Sequence, residues 1–300
     1  LRNFYSKYEI YITPLFKFVL ALVSLMCING NIGYMDRLDN IIIVLVIALM
    51  CSFLPMNFIV LVSAGFVCAH LYAVSLECGV VAIAIFLLMF ILYFRFSPKD
   101  TVVVLLLPLC FIMKIPYVIP IAVGLLGTPA SAVSVGCGTI AYYLIQYIKV
   151  NASTISALES DDGAVAKFRY VIDGILNNKE MMITIIAFAA VVIAVYLIRR
   201  TSVDHAWTIA MAVGAVLGVV ILLIGDLAYD THISIGLLLL GMVISLLITK
   251  ILQFFCFNVD YSRTEYVQFE DDEYYYYVKA VPKNSVAQAK KRVKKITSVL

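Results

Sequence analysis

Lys114 is the residue whose type and setting point most directly to chemistry. It separates two short apolar runs, residues 100–114 and 116–127, which carry Pro108, Pro116 and Pro120. Proline removes a backbone donor and breaks a helix, so nearby carbonyls lose their partners. Freed carbonyls, helix ends and one fixed ammonium group can together line a solute cavity inside an apolar protein. The same stretch continues through two glycines and another proline. Lys114, Pro116, Pro120, Gly124, Gly127 and Pro129 are therefore the candidate functional or translocation region. The plainer alternative is a lysine in a connecting loop.

Other chemistry is sparse. No GxxxxGK[ST] loop, HExxH or GxSxG occurs, so no catalytic site, metal or cofactor is expected. His70, His205 and His232 lie far apart, and His70 reads as a lone satisfied histidine. Of seven cysteines, Cys27, Cys51, Cys68, Cys110 and Cys137 fall well inside apolar runs, and no CxxC pair is present. They read as small apolar side chains. Lys17 and Lys250 sit near the ends of apolar runs, where long side chains can snorkel, and Asp226 reads as an interfacial cap. Small residues recur at helical spacing: Ala130, Ser134 and Gly138 in one run, Gly214 and Gly218 in another. Such stripes let helix backbones approach closely.

These residues need elements to hold them, and composition says which. Apolar residues make up 63% of the 300 and charged residues 14%, where a soluble domain carries roughly 25% charge. A water-soluble core cannot absorb that excess, whereas lipid can. The apolar runs are 11–29, 40–55, 57–75, 78–95, 100–114, 116–127, 129–149, 181–198, 205–228 and 232–256. In lipid the backbone must satisfy its own hydrogen bonds, so these runs read as helices. The expectation is an all-α polytopic integral membrane protein of about ten transmembrane helices, with the lipid bilayer as its first partner. Residues 15–28 resemble a signal-peptide core but lack a small-x-small site after them, so they read as the first spanning helix. A net charge of +3 with scattered basic residues does not point to nucleic acid.

Lysine and arginine set the orientation. With the basic tail Lys290 to Lys295 in the cytoplasm, Arg199-Arg200, the Arg95/Lys99 loop and the N-terminus fall on the same side. Asp226, Asp230 and the 150–180 segment fall outside. Residues 100–127 are either two short spans or a re-entrant hairpin, and both keep this parity. The expected organisation is a front helix group (1–149), an extracytoplasmic linker (150–180), a back group of three helices (181–257) and a cytoplasmic tail (258–300). Within the linker, Asn151 to Gly163 is polar. Val165, Phe168, Val171, Ile172 and Ile175 then share one face of an amphipathic interfacial helix.

The tail reads as two short β-strands around an acidic turn. Glu270, Asp271, Asp272, Glu273, Tyr274 and Tyr276 are its candidate partner-docking residues. The stretch Tyr266-Val267-Gln268-Phe269-Glu270-Asp271-Asp272-Glu273-Tyr274-Tyr275-Tyr276-Tyr277-Val278-Lys279-Ala280-Val281-Pro282-Lys283 resembles the tail of uncharacterised membrane proteins from clostridial-type bacteria. That resemblance implies a bacterial inner-membrane setting and brings no established function. A looser similarity, in helix number alone, is to the ten-span membrane region of a sporulation phosphatase. Taken together, the residues lead to a non-catalytic, permease-like subunit whose tail docks a cytoplasmic ATPase or another membrane-complex subunit. The rival is a membrane scaffold of a secretion, pilus or sporulation apparatus. An intramembrane enzyme fits least, because no acid–base or nucleophile constellation is visible.

Overall fold

The computed structural model describes residues 2–157, 163–231, 234–256 and 265–280. Along them run α1 (Arg2–Ile32), α2 (Ile41–Phe53), α3 (Asn57–Val74), α4 (Leu76–Phe96), α5 (Thr101–Ile112), α6 (Val118–Leu126) and α7 (Ser131–Ala157). They are followed by α8 (Gly163–Leu176), α9 (Lys179–Arg199), α10 (Ala206–Tyr229), α11 (Ile235–Cys256), β1 (Glu265–Glu270) and β2 (Tyr275–Ala280). Among the described residues, six segments are long and apolar enough to cross a membrane: Ile10–Ile32, Asn57–Val74, Leu76–Phe96, Val165–Arg199, Ala206–Tyr229 and Ile235–Cys256. The helical body is thus that of an all-α membrane protein. The remaining apolar runs form α2, α5, α6 and α7.

Helix α7 falls outside those six for a physical reason. It is the central helix, packed against α1, α3, α4, α5, α6, α8 and α9. Protein rather than lipid surrounds it, so it tolerates buried Ser131, Ser134 and Thr139. It also runs on to Ala157, where the sequence reading places a polar linker from Asn151. The Asn151 amide donates back to the Tyr147 carbonyl at 2.8 Å, and Ile155 is fully buried. On α8, Val171 and Ile175 are buried, whereas Val165 and Ile172 of the same apolar face are exposed.

Side-chain contacts give every helix a direction. Lys17 Nζ donates to the Leu54 carbonyl and the Asn29 amide to the Leu38 carbonyl, so α1 and α2 are antiparallel. Tyr93 and Thr101 both donate to the Asn57 side chain, which brings the start of α3, the end of α4 and the start of α5 together. Ser134 joins them through Ser97. This end also holds Arg199, Thr208 and Lys250, whose amine donates to Thr208 Oγ1 at 3.0 Å. We refer to it as the tail end, because α11 finishes there.

The opposite, far end is joined equally clearly. His70 Nδ1 accepts the Met35 N–H at 3.2 Å, which leaves the ring proton on Nε2 to donate to Asn29 Oδ1 at 2.9 Å. His70 is therefore the satisfied histidine expected, tying α1 and α3 to the turn before α2. Lys149 donates to Asn31, and α8 packs on α4 and α7 at this end.

Within this frame α5 and α7 run parallel. Asp100 faces Ser134, Leu107 faces Gly138, and Phe111 stacks on Tyr142 with centroids 4.3 Å apart. Helix α6 runs back, parallel to α9, with Tyr117 on Phe188 and Gly124 on Val195. The pair α5–α6 thus leaves the tail end and returns to it. One packed seam, from Ile121 and Leu125 to Val191, Val195, Ala210 and Met242, joins α6 to the back helices.

A Cβ on Gly124 would lie 2.6 Å from Val195 Cβ, whereas one on Gly30 would meet nothing within 4 Å. Gly124→Ala is expected to destabilise the protein by about 1–3 kcal/mol through overpacking. Gly30→Ala is expected to leave it unchanged or stabilise it by up to ~1 kcal/mol. Thermal unfolding of the two variants in detergent measures the contrast.

Candidate solute site at the tip of a helical hairpin

The turn between α5 and α6 has an unusual occupant. Lys114 has φ 62, one of three non-glycine residues with positive φ among the described residues. Its N–H donates to the Phe111 carbonyl at 3.0 Å, and the next N–H, of Ile115, donates to the Cys110 carbonyl at 2.9 Å. Those two bonds define a Schellman ending, whose left-handed position is ordinarily glycine. A side chain there costs about 1–2 kcal/mol. The turn is also tucked tightly: a Cβ on Gly241 of α11 would lie 2.8 Å from the Lys114 carbonyl oxygen and 3.0 Å from the Tyr117 ring.

The tip forms part of the wall of a polar cavity of about 280 Å³. Phe111, Lys114, Pro116 and Tyr117 come from the hairpin, Tyr142 and Tyr143 from α7, and Glu180, Thr184 and Phe188 from α9. Thr231, Ser234, Leu237 and Leu238 complete it between α10 and α11. Glu180 lies in the first turn of α9, where the helix dipole favours a carboxylate. Its Oε1 accepts the Tyr143 hydroxyl at 3.1 Å, and Tyr143 also lies 3.2 Å from Thr184 Oγ1. Glu180 and Lys114 share the cavity without closing an ion pair. The cavity lies toward the far end, beyond the depth at which the hairpin turns back.

What holds the hairpin in place is Arg199, at the last turn of α9. Its guanidinium donates to the Leu125 carbonyl and, at 2.7 Å, to the Gly127 carbonyl. These are carbonyls at the end of α6, so a forked cation caps that helix from a neighbour. The guanidinium is flanked by the Tyr196 ring at 5.0 Å and the Trp207 ring at 6.0 Å.

The residues singled out in the sequence divide by place. Lys114 and Pro116 line the cavity, and Pro120 is buried in the first turn of α6. Gly124 is the contact with α9, and Gly127 ends α6. Pro129 is exposed and accepts the Ala132 N–H in the turn before α7. Ala130 precedes the helix, while Ser134 and Gly138 face α5. Gly138 allows α7 to approach the Val104 carbonyl. That carbonyl is the one Pro108 deprives of its helical donor. Gly214 and Gly218 seat α10 on Val191 and Val195 of α9.

Sequence reasoning missed Glu180, Tyr143 and Arg199. Glu180 and Arg199 look like ordinary flanking charges, and only α7 and α6 packing beside α9 gives them a role. A second cavity, about 90 Å³ and apolar, lies between α1, α3, α4, α5 and α7 and shares Tyr142 with the first. The Ser24 and Ser63 hydroxyls on its wall have no hydrogen-bond partner.

The tail strands pair antiparallel, Glu265 opposite Ala280 and Glu270 opposite Tyr275. Asp271 shapes the turn by accepting the Glu273 N–H, the Tyr274 N–H and the Tyr276 hydroxyl. Those donors hold its carboxyl below the ordinary carboxylate range. Phe269 stacks on Tyr276 at 4.9 Å. Both faces are exposed, with Tyr266 at 78% and Tyr277 at 79%. Asp272 and Glu273 project from the turn. The basic stretch from Lys290 to Lys295 and the end of the tail motif, Val281 to Lys283, lie outside the described residues, as does His232.

No family model, curated protein or solved structure matches this chain.

Two substitutions test whether the hairpin is held as described. Lys114→Gly relieves the left-handed strain and is expected to raise stability by about 1 kcal/mol. Arg199→Ala leaves the end of α6 without its cap and is expected to lower stability by about 1–3 kcal/mol. Thermal unfolding, with hydrogen exchange of the residues just after Leu125, reads both effects.

Proposed function

We propose that the chain is the membrane subunit of a permease-type transport system, and that α5–α6 is a re-entrant hairpin carrying its solute site. The observation behind this reading is the strained lysine at the turn of a helix pair that enters and returns at one end, set in a polar cavity toward the other. At ~1.5 Å per residue, α5 (12 residues) and α6 (9 residues) reach about 18 and 14 Å. A hydrocarbon core is ~30 Å thick, so the tip stops inside it. Irregular backbone at that depth is tolerated where it lines a cavity. In this reading seven helices (α1, α3, α4, α7, α9, α10 and α11) are long enough to cross fully, and the shorter α2, at 13 residues, and the hairpin make up the rest of the ten apolar runs.

The setting is a bacterial cytoplasmic membrane with the tail end inside. Lys17, Arg95, Lys99, Arg199, Arg200 and Lys250 gather at that end against Arg37, Lys149, Lys167, Arg169 and Lys179 at the other, so the orientation rests on the basic stretch Lys290 to Lys295 that follows α11. The exposed β-hairpin then lies in the cytoplasm. There it docks an ATPase or another subunit through Tyr274, Tyr276 and the Glu270 to Glu273 turn. The same exposure supports the alternative, a scaffold of an envelope assembly, in which the tail is the working part and the cavity is incidental.

Solute flux into proteoliposomes, with the partner subunit encoded beside it where there is one, separates the two. The permease reading expects flux that Lys114→Gly abolishes although the protein remains folded, and that Pro120→Ala reduces. Absence of flux under all conditions, with a partner captured only when residues after Asn258 are present, would establish the scaffold instead.

A further inference from the structure

We infer that the cavity at the hairpin tip takes a zwitterionic solute of the α-amino-acid class with an apolar side chain, its carboxylate on Lys114 and its ammonium on Glu180. The inference rests on the permease reading for its purpose, but its test is a binding measurement. Three observations converge on it. First, among the described residues the wall presents one cation, Lys114, and one carboxylate, Glu180, that do not form an ion pair with each other. Two opposite charges left apart in a small site are complementary to a ligand that carries both.

Second, the Glu180 carboxylate is held by a hydrogen bond, and Lys114 is placed in the wall by its backbone. Glu180 Oε1 is fixed by the Tyr143 hydroxyl, which Thr184 in turn meets. One carboxylate oxygen remains for a ligand ammonium. Lys114 sits at a backbone position that favours glycine, with φ 62. Retaining a side chain there opposes stability, and the amine is what the site gains by it.

Third, the remaining wall carries apolar and aromatic side chains, Phe111, Tyr117, Tyr142, Phe188, Leu222 and Leu238, beside the hydroxyls of Tyr143, Thr184, Thr231 and Ser234. At about 280 Å³ the cavity is near the lower limit for small-molecule sites. That suits one small solute with an apolar side chain. Charge-assisted bonds to both groups of such a ligand would carry its affinity.

The test uses the purified full-length protein in lipid nanodiscs and isothermal titration calorimetry. The probes are L-phenylalanine and L-leucine, each beside analogues with one charge removed: 3-phenylpropionate and phenethylamine, 4-methylpentanoate and isopentylamine. We expect at least one zwitterion to bind, with both of its single-charge analogues weaker by roughly tenfold or more. Lys114→Gly and Glu180→Gln should each weaken the zwitterion by a similar factor. Lys114→Gly should also raise the melting temperature of the unliganded protein, which separates lost binding from lost folding. In Lys114→Gly, the amine-only analogue should keep its residual affinity, and in Glu180→Gln the carboxylate-only analogue should do so. A single-charge analogue binding as tightly as its zwitterion overturns the inference. So does the absence of binding by either zwitterion. If carboxylate-only probes bind and Lys114→Gly abolishes them, the zwitterion assignment falls while a solute site at the hairpin stands. If none of the six probes binds and no flux is found, both readings fall.

Discussion

A helix that stops inside an apolar bundle leaves polar backbone groups without water, and the rest of this structure depends on how that is resolved. Between Asp100 and Gly127 the chain does it twice. At the tip, α5 closes on itself through the two Schellman bonds at Lys114 and Ile115. At the return, α6 hands its last carbonyls to Arg199. Each bond answers a cost of a few kcal/mol for an unsatisfied buried group. The Arg199 fork fixes the depth of α6 against α9, and Gly124 sets its distance. Tyr117 and Lys114 are thereby placed beside Phe188 and Gly241. The cavity is what remains between a hairpin that stops short and the helices α7, α9, α10 and α11.

Much of this was legible in the sequence, for physical reasons. Apolar run length gives helices because lipid offers the backbone nothing else, and the ten runs correspond to α1 to α7 and α9 to α11. Lys114 stands out because a charge between proline-broken runs has few bland explanations. Two short spans and a re-entrant hairpin both bring residues 100–127 back to the same side, and periodicity is silent on which of the two forms. Contacts such as Gly138 against Leu107 and Tyr117 against Phe188 show that α6 runs back antiparallel to α5.

The rest was hidden because it depends on packing between distant segments. Glu180 and Arg199 flank an apolar run, and charges there are what any spanning helix shows. Only the parallel seating of α6 on α9, and α7 crossing in front of Glu180, turn one into a cap and the other into a wall charge. The length of α7 was misjudged for a related reason. Residues 151–157 are polar by composition, yet Ile155 is buried and Asn151 folds back on the helix, so the chain stays helical beneath α8. In the tail, strand propensity and an acidic turn indicated the hairpin, but not that Asp271 alone would organise the turn.

The central claim is that residues 100–127 enter and leave at one membrane face while their tip opens toward the other. Substituted-cysteine labelling tests it most directly, in a background with the native cysteines replaced. Single cysteines at Lys99, Lys114 and Pro129 are treated with a membrane-impermeant maleimide in right-side-out and inverted vesicles. The account predicts that positions 99 and 129 label from the face that carries the tail, and that position 114 labels from the opposite face. Labelling of position 114 only from the tail face, or of positions 99 and 129 from opposite faces, would contradict it.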